Sequence, residues 1–338
     1  MEDATFRFAG ADGTMAVAAW RLRGDGSGPP AHLQAGVHAD EIPGMLVLHR
    51  LLPRLAAAEA AGRLRGDVTV APQANPVGQR QFRHARLLGR FDQASGQNFN
   101  RGFTDAARDP SPGVKAGGVA AWQAGLLALA RHADIVLDLH TDDEALPYAY
   151  LNAGFWPQAT DLVAALGSAV AILWDGSAGT SFEDGVALPW IAQGGLGGRL
   201  ASTIELRGQA DVDPATAQAD ADGLYRLLCR RGVIDEAVEL PEWGGAAVPI
   251  AHMQTIRAPA DGVLAFTRSL GERVAAGEPF ALLVSRPGDP ASEQPIVAAQ
   301  DGTLVTRTRD RFCARGGVVA KLTGSAPSPD WGGGALDD

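Results

Sequence analysis

The chain has 338 residues, 46% hydrophobic and 20% charged, which is enough apolar sequence for one large core and a smaller second one. A formal net charge of −10 with no basic cluster excludes nucleic acid or an anionic membrane as the main partner and leaves a small molecule. The 42 Gly and 21 Pro are scattered rather than run together, so they read as many tight turns instead of disorder.

In chain order, "MEDATFRFAG" lacks the charged-then-apolar pattern of a leader, and no apolar run reaches the ~18 residues that span a bilayer. A cytoplasmic protein is expected. At 36–44, "GVHADEIPG" puts His38 and Glu41 three residues apart. The pair can supply two metal ligands, although Glu41 would also suit a helix N-terminus. Helical periodicity follows in "GMLVLHRLLPRLAAAEAAG", with a kink expected at Pro53, and "VTVAP" at 68–72 reads as a buried strand.

The next stretch, "QANPVGQRQFRHARLLGRFDQASGQNFNRGF", is polar and too long for an ordinary connection. Its "NP", "SGQ" and "NFNRGF" pieces have the residues of shaped turns, so it is expected to be functional. After a helical "GGVAAWQAGLLALARHA", the apolar "DIVLDLH" ends on His140. Strand ends are where sites collect in open α/β sheets, while an isolated histidine there could simply cap the strand.

"AVAIL" at 169–173 and "ASTIEL" at 201–206 are further strands. Glu205 at the end of the second is expensive to bury unless paired or functional; a salt bridge with Arg207 is the plain alternative. Between them "DGSAGTS" has Asp175 where a nucleophile elbow needs Gly, and no histidine lies between Ser177 and His252, which argues against a serine hydrolase. "GGLGG" at 194–198 lacks the Lys-Ser/Thr of a phosphate loop. The helical "ATAQADADGLYRLLCRRG" closes on a glycine cap. Strands alternating with helices define an α/β sheet.

From "PEWGGAAVPI" onward helical periodicity disappears, which places a domain boundary at 244/245. "APADGVLAFTRSLGERVAAGEPFALLV" and "VAAQDGTLVTRTRDRFCARGGVVAKL" form a weak repeat, each with Asp-Gly, a β run and a Gly-rich turn. This resembles a biotinyl- or lipoyl-type β-sandwich, without the lysine that the carrier version holds in its hairpin. The module is expected over 245–325, followed by a flexible tail at 326–338. Cys229 and Cys313 are expected to be free thiols.

Taken together, His38-x-x-Glu41, "ANP" at 74–76, "NFNRGF" at 98–103, "LDLH" at 137–140 and "TIELRG" at 203–208 resemble the succinylglutamate desuccinylase/aspartoacylase family, within the zinc carboxypeptidase group. The resemblance runs in order over about residues 30–240 and extends to the C-terminal β module. It implies a mixed central sheet flanked by helices over residues 1–244. It also implies one Zn²⁺ per chain held by His38, Glu41 and His140, with Glu205 as general base and acid.

Asn100 and Arg101 match the pair that binds the substrate carboxylate, and Arg90 matches the arginine that steadies the oxyanion, with Arg83 or Arg86 as alternatives. Many members read His-Gly-Asn-Glu where this chain has Ala39 and Asp40 between the ligands. Several have an aspartate where Asn98 stands; Asn98 could still accept a hydrogen bond from a ligand histidine, without a charge.

The implied activity is a metal-dependent deacylase acting on a small N-acylated substrate that carries a carboxylate. A homo-oligomer is compatible with the composition. A metallocarboxypeptidase on short peptides and a non-catalytic binding protein are the rivals. Asp142, Asp143, Glu144, Asp175, Glu183 and Asp184 could receive a cationic amine, or could be a solvated loop face; Tyr148 and Tyr150 could line the same pocket or pack in the core.

Overall fold

A computed structural model describes residues 1–10, 13–103, 118–175 and 180–336. Ser177 lies outside them. The strands expected from continuous apolar runs form because a central strand buried on both faces has no reason to alternate: Val68–Ala71 is buried throughout and Ile135–Asp142 nearly so. They belong to a nine-stranded mixed sheet. Its order is Glu2–Asp3, Trp20–Leu22, Val68–Ala71, Ala31–Ala35, Ile135–Asp142, Leu200–Gly208, Tyr148–Asn152, Val170–Trp174 and Ala246–Pro249.

The middle of the sheet is parallel. Ile135–Asp142 lies between Ala31–Ala35 and Leu200–Gly208, parallel to both, and all three point their C-terminal ends the same way. The polar residues that the sequence sets at those ends are thereby gathered on one rim.

Helix Pro43–Ala60 starts with proline in its first turn, where no N–H is needed, and buries Val47, Leu48, Leu51, Leu55 and Ala58. Pro53 sits inside this helix without ending it. Helix Pro214–Arg230 packs on it; the Asp213 side chain caps its N-terminus by accepting from the N–H groups of Ala215 and Thr216. Helices Val119–Ala130 and Phe182–Ala192 form a second packed pair, the latter opened by a Ser181/Asp184 capping box. No helix among the described residues is long and apolar enough to cross a membrane.

Just past the boundary expected at 244/245, Ala246–Pro249 pairs in parallel with Val170–Trp174 and extends the large sheet. Its Gly-Gly and Pro flanks resemble a linker, and only pairing with a distant strand shows otherwise. Beyond it, Gln254–Arg257, Gly302–Arg307 and Val318–Leu322 form one small sheet with Glu144–Ala145 from the large domain. Gly262–Phe266, Pro279–Val284, Glu293–Val297 and Phe312–Cys313 form another. Between them lies a separate core around Phe280, Leu283, Leu304 and Val319.

The repeat in the sequence is a structural one. Asp261 of the first half accepts from the backbone N–H of Arg315 in the second, and Asp301 of the second accepts from Ala276 in the first. Gly302 follows that aspartate because a Cβ there would lie 2.0 Å from the Thr323 carbonyl oxygen. The segment expected to be a loose tail includes Ser328, whose N–H donates to the Ala251 carbonyl, and a buried Leu336.

Candidate active site

The chain leaves strand Ala31–Ala35 through Gly36, at φ +75°, and turns so that Glu41 N–H donates to the His38 carbonyl. Two distant segments brace this turn. Asn75, from "ANP", donates to the Val37 carbonyl and accepts from Gly78 N–H. Gly89 accepts from Ala39 N–H, and a Cβ on it would lie 2.3 Å from the Asp40 nitrogen, so only glycine lets the long polar loop come this close. The next residue is Arg90.

Inside the turn, His38, Glu41 and His140 are all buried, and one ligand atom from each lies within 4.8 Å of the others. His38 Nδ1 is 2.8 Å from Glu41 Oε1, and His140 Nδ1 is 2.8 Å from Glu41 Oε2. The outer ring nitrogens fix the tautomers. His38 Nε2 donates to Asn98 Oδ1 at 2.9 Å, and that oxygen is identified by a second donor, the Asn100 N–H. His140 Nε2 donates to Asp138 Oδ2 at 2.9 Å. In neutral rings both Nδ1 atoms would therefore turn lone pairs toward the same carboxylate.

Three acceptors converging in this way need a positive charge among them. Burial opposes a charged imidazole, yet the Asp138 and Glu41 carboxylates hold His140 well above the ordinary histidine range. Burial, helped by the Arg90 and His140 charges, pushes His38 down. Burial also works against an ionised Glu41, but His38 and His140 outweigh it and hold the carboxyl well below its usual range. A divalent cation fits this donor set, since two histidines and a carboxylate leave a position open for water.

Glu205 faces the cluster from the neighbouring strand, paired in register with His140. It is half-buried, and its Oε2, shielded from solvent, has no hydrogen-bond partner. Burial and the nearby Glu41 charge push its carboxyl up to about 8. The salt bridge with Arg207 does not form: the strand is irregular between Glu205 and Gly208, Arg207 has φ +141°, and its guanidinium pairs with Asp220.

The pocket over the cluster is lined by Arg90, Asn100, Arg101 and Glu205, together with Asp142, Tyr148, Tyr150, Glu183 and Asp184. Arg90 donates to Glu41 Oε1 at 3.2 Å. Arg83 and Arg86 stand on the exposed Phe82–Leu87 hairpin and do not line the pocket. Asn100 is fixed by accepting from Phe182 N–H, and the Arg101 guanidinium donates to the Asn100 carbonyl.

Most of the suspected cation-receiving acids are already engaged. Asp142 pairs with Lys321 at 2.8 Å and accepts from Tyr148, Asp143 pairs with Arg309, and Glu144 pairs with Arg307 and Arg311. Glu183 accepts from Trp174 Nε1 and Thr203 N–H, and Asp184 belongs to the capping box.

Sequence reasoning missed three contributors. Asp138 was visible in "LDLH", since residues two apart on a strand share a face. Lys321 and Leu336 left no local signal; they reach the pocket from strand Val318–Leu322 and from the C-terminal segment after it.

A buried two-histidine, one-carboxylate cluster, with a second carboxyl poised across a pocket at the rim of an α/β sheet, defines a metal-dependent hydrolase. The chain belongs to the succinylglutamate desuccinylase/aspartoacylase family, whose catalytic-domain model matches residues 27–230. It is 25% identical over 308 residues to the N-alpha-acetyl-L-2,4-diaminobutyric acid deacetylase of Halomonas elongata, covering 88% of this chain and 82% of that one.

A crystal structure from Shewanella amazonensis, of a protein assigned to the same family, matches with a TM-score of 0.83 at 24% identity, over 96% of this chain and 98% of that one. The product-bound ectoine utilization protein EutE (DoeB) from Ruegeria pomeroyi matches with a TM-score of 0.71 at 21% identity, over 96% and 97%. These two likenesses are of fold.

Proposed function

We propose that the protein is a zinc-dependent amidohydrolase that removes the acyl group from a small N-acyl amino acid. The observation that carries this reading is the placement of the unpartnered Glu205 carboxyl across from the His38, Glu41 and His140 cluster, in a pocket that also holds Asn100 and Arg101. His38, Glu41 and His140 would hold Zn²⁺, which when bound supplies Lewis acidity toward a carbonyl oxygen and water.

Glu205 takes the proton of the attacking water and returns it to the departing nitrogen; a carboxyl raised toward neutrality suits both halves of that task. The Arg90 guanidinium sits where it can steady negative charge developing on the carbonyl oxygen. Asn100 and Arg101 hold the substrate carboxylate, the arginine offering its two-pronged geometry. Asn98 orients His38 as a neutral acceptor.

The name of the Halomonas relative makes acylated diamino acids the first substrates to test. With Asp142 already paired to Lys321, a second amine would be received by Asp184, which lines the same pocket and whose capping-box bonds engage Oδ2. A metallocarboxypeptidase would use the same residues, but Lys321, Ala335 and Leu336 close in on the pocket and favour a small substrate.

The test is metal content and hydrolysis of an N-acyl amino acid panel by wild type and Glu205→Gln. We expect about one zinc per chain in both and a dead variant. A variant that keeps full activity removes Glu205 from the mechanism, and a metal-free wild type that hydrolyses nothing supports a binding protein instead.

A further inference from the structure

One strand step back from the cluster lies a row of buried polar side chains that the proposed hydrolysis does not use. His32, Gln34 and Asp138 are at most 1% exposed. Alternation puts His32 and Gln34 on one face of their strand, and Asp138 and His140 on one face of theirs. The parallel register sets Gln34 beside Asp138.

The four residues form a continuous chain. His32 Nε2 lies 3.0 Å from Gln34 Oε1, Gln34 Nε2 lies 3.3 Å from Asp138 Oδ1, and Asp138 Oδ2 lies 2.9 Å from His140 Nε2. Its direction is forced by what each atom can do. An amide oxygen only accepts, so His32 donates; the amide nitrogen donates to the carboxylate; an ionised carboxylate only accepts, so His140 carries its proton on Nε2. That leaves Nδ1 as the ring atom that faces Glu41 and that a metal ion would take. His32 Nδ1 has no partner, and burial pushes this imidazole down, so the row ends on a neutral ring.

Such a row is costly in the middle of a sheet where apolar residues would pack without penalty, unless its orientation is used. We propose that Gln34 and His32 are positioning residues for the metal centre, acting through Asp138 to fix the tautomer and ring orientation of His140. Without the Gln34 donor, the Asp138 carboxylate loses one of its anchors and is free to turn away from the ring. The inference rests on the metal-dependent reading above.

The test is zinc titration of the metal-free full chain for wild type, Gln34→Met, Asp138→Asn and the double variant, with melting temperatures of the metal-free forms. Gln34→Met keeps the side-chain length and removes the donor. We expect its zinc affinity to fall about tenfold. The double variant should bind no more weakly than Asp138→Asn alone, because both changes act through one carboxylate.

His32→Leu should shift affinity in the same direction by less, and it serves if Gln34→Met does not fold. A role in packing alone would lower the metal-free melting temperature and leave zinc affinity unchanged. Wild-type affinity in both single variants, or losses that add in full in the double variant, would overturn the inference while leaving the metal site standing. A wild type that binds no zinc would overturn both.

Discussion

The large sheet and the C-terminal β module handle their polar residues in opposite ways. In the module the two repeat halves satisfy each other: Asp261 and Asp301 each bind a backbone N–H of the opposite half. At the rim of the large sheet, His38, Glu41, His140 and Glu205 converge with like lone pairs facing one another and one oxygen unpartnered. A repeat folds on itself and ends up satisfied, whereas parallel strands that stop together leave their terminal side chains to meet in a pocket. Lys321 crosses between the two regions, from Val318–Leu322 of the module to Asp142 of the sheet.

The sharpest way to separate the regions is His140→Ala. Removing one ligand should abolish metal content and reduce hydrolysis to background while leaving the module intact, as elemental analysis and an N-acyl amino acid assay would read. Lys321→Met should blur the division. It strands the buried Asp142 carboxylate and should cost about 3–5 kcal/mol in urea unfolding. The variant should also lose activity, since Lys321 lines the pocket; full activity would make the module a passive neighbour.

Gly302→Ala should do the reverse of His140→Ala. Its Cβ meets the Thr323 carbonyl, so stability should fall by about 1–3 kcal/mol while zinc content stays at the wild-type level.

The smallest expected effect is a pH dependence. Burial and the neighbouring Asp184 charge hold Glu183 well above the usual carboxyl range. The stability contributed by its neutral form is complete below the unfolded value and is lost as pH rises through the folded one. Glu183→Gln has no proton to lose, so its melting temperature should decline less than that of wild type from about pH 5 upward. Parallel curves would mean that Glu183 stays ionised.

Much of the large sheet was legible because a strand buried on both faces writes itself as an unbroken apolar run. The candidate metal residues were legible through the order of their motifs, which resemble those of the family; taken alone, His38-x-x-Glu41 and a histidine closing an apolar run each have a plain alternative. Ala246–Pro249 carried no such signal, because its strand state depends on Val170–Trp174 offering an edge.

By itself, then, the sequence determined the α/β class and the internal repeat, both set by local pattern, and the order of its motifs, through a family resemblance, pointed to His38, Glu41 and His140 as candidate ligands. Only the tertiary structure decided that Gln34 stands beside Asp138, that Arg207 turns to Asp220 rather than Glu205, and that Lys321 and Leu336 enter the pocket. Those contacts join residues far apart in the chain, and their partners are chosen by strand register and by how two packed units meet, neither of which any short stretch of sequence encodes.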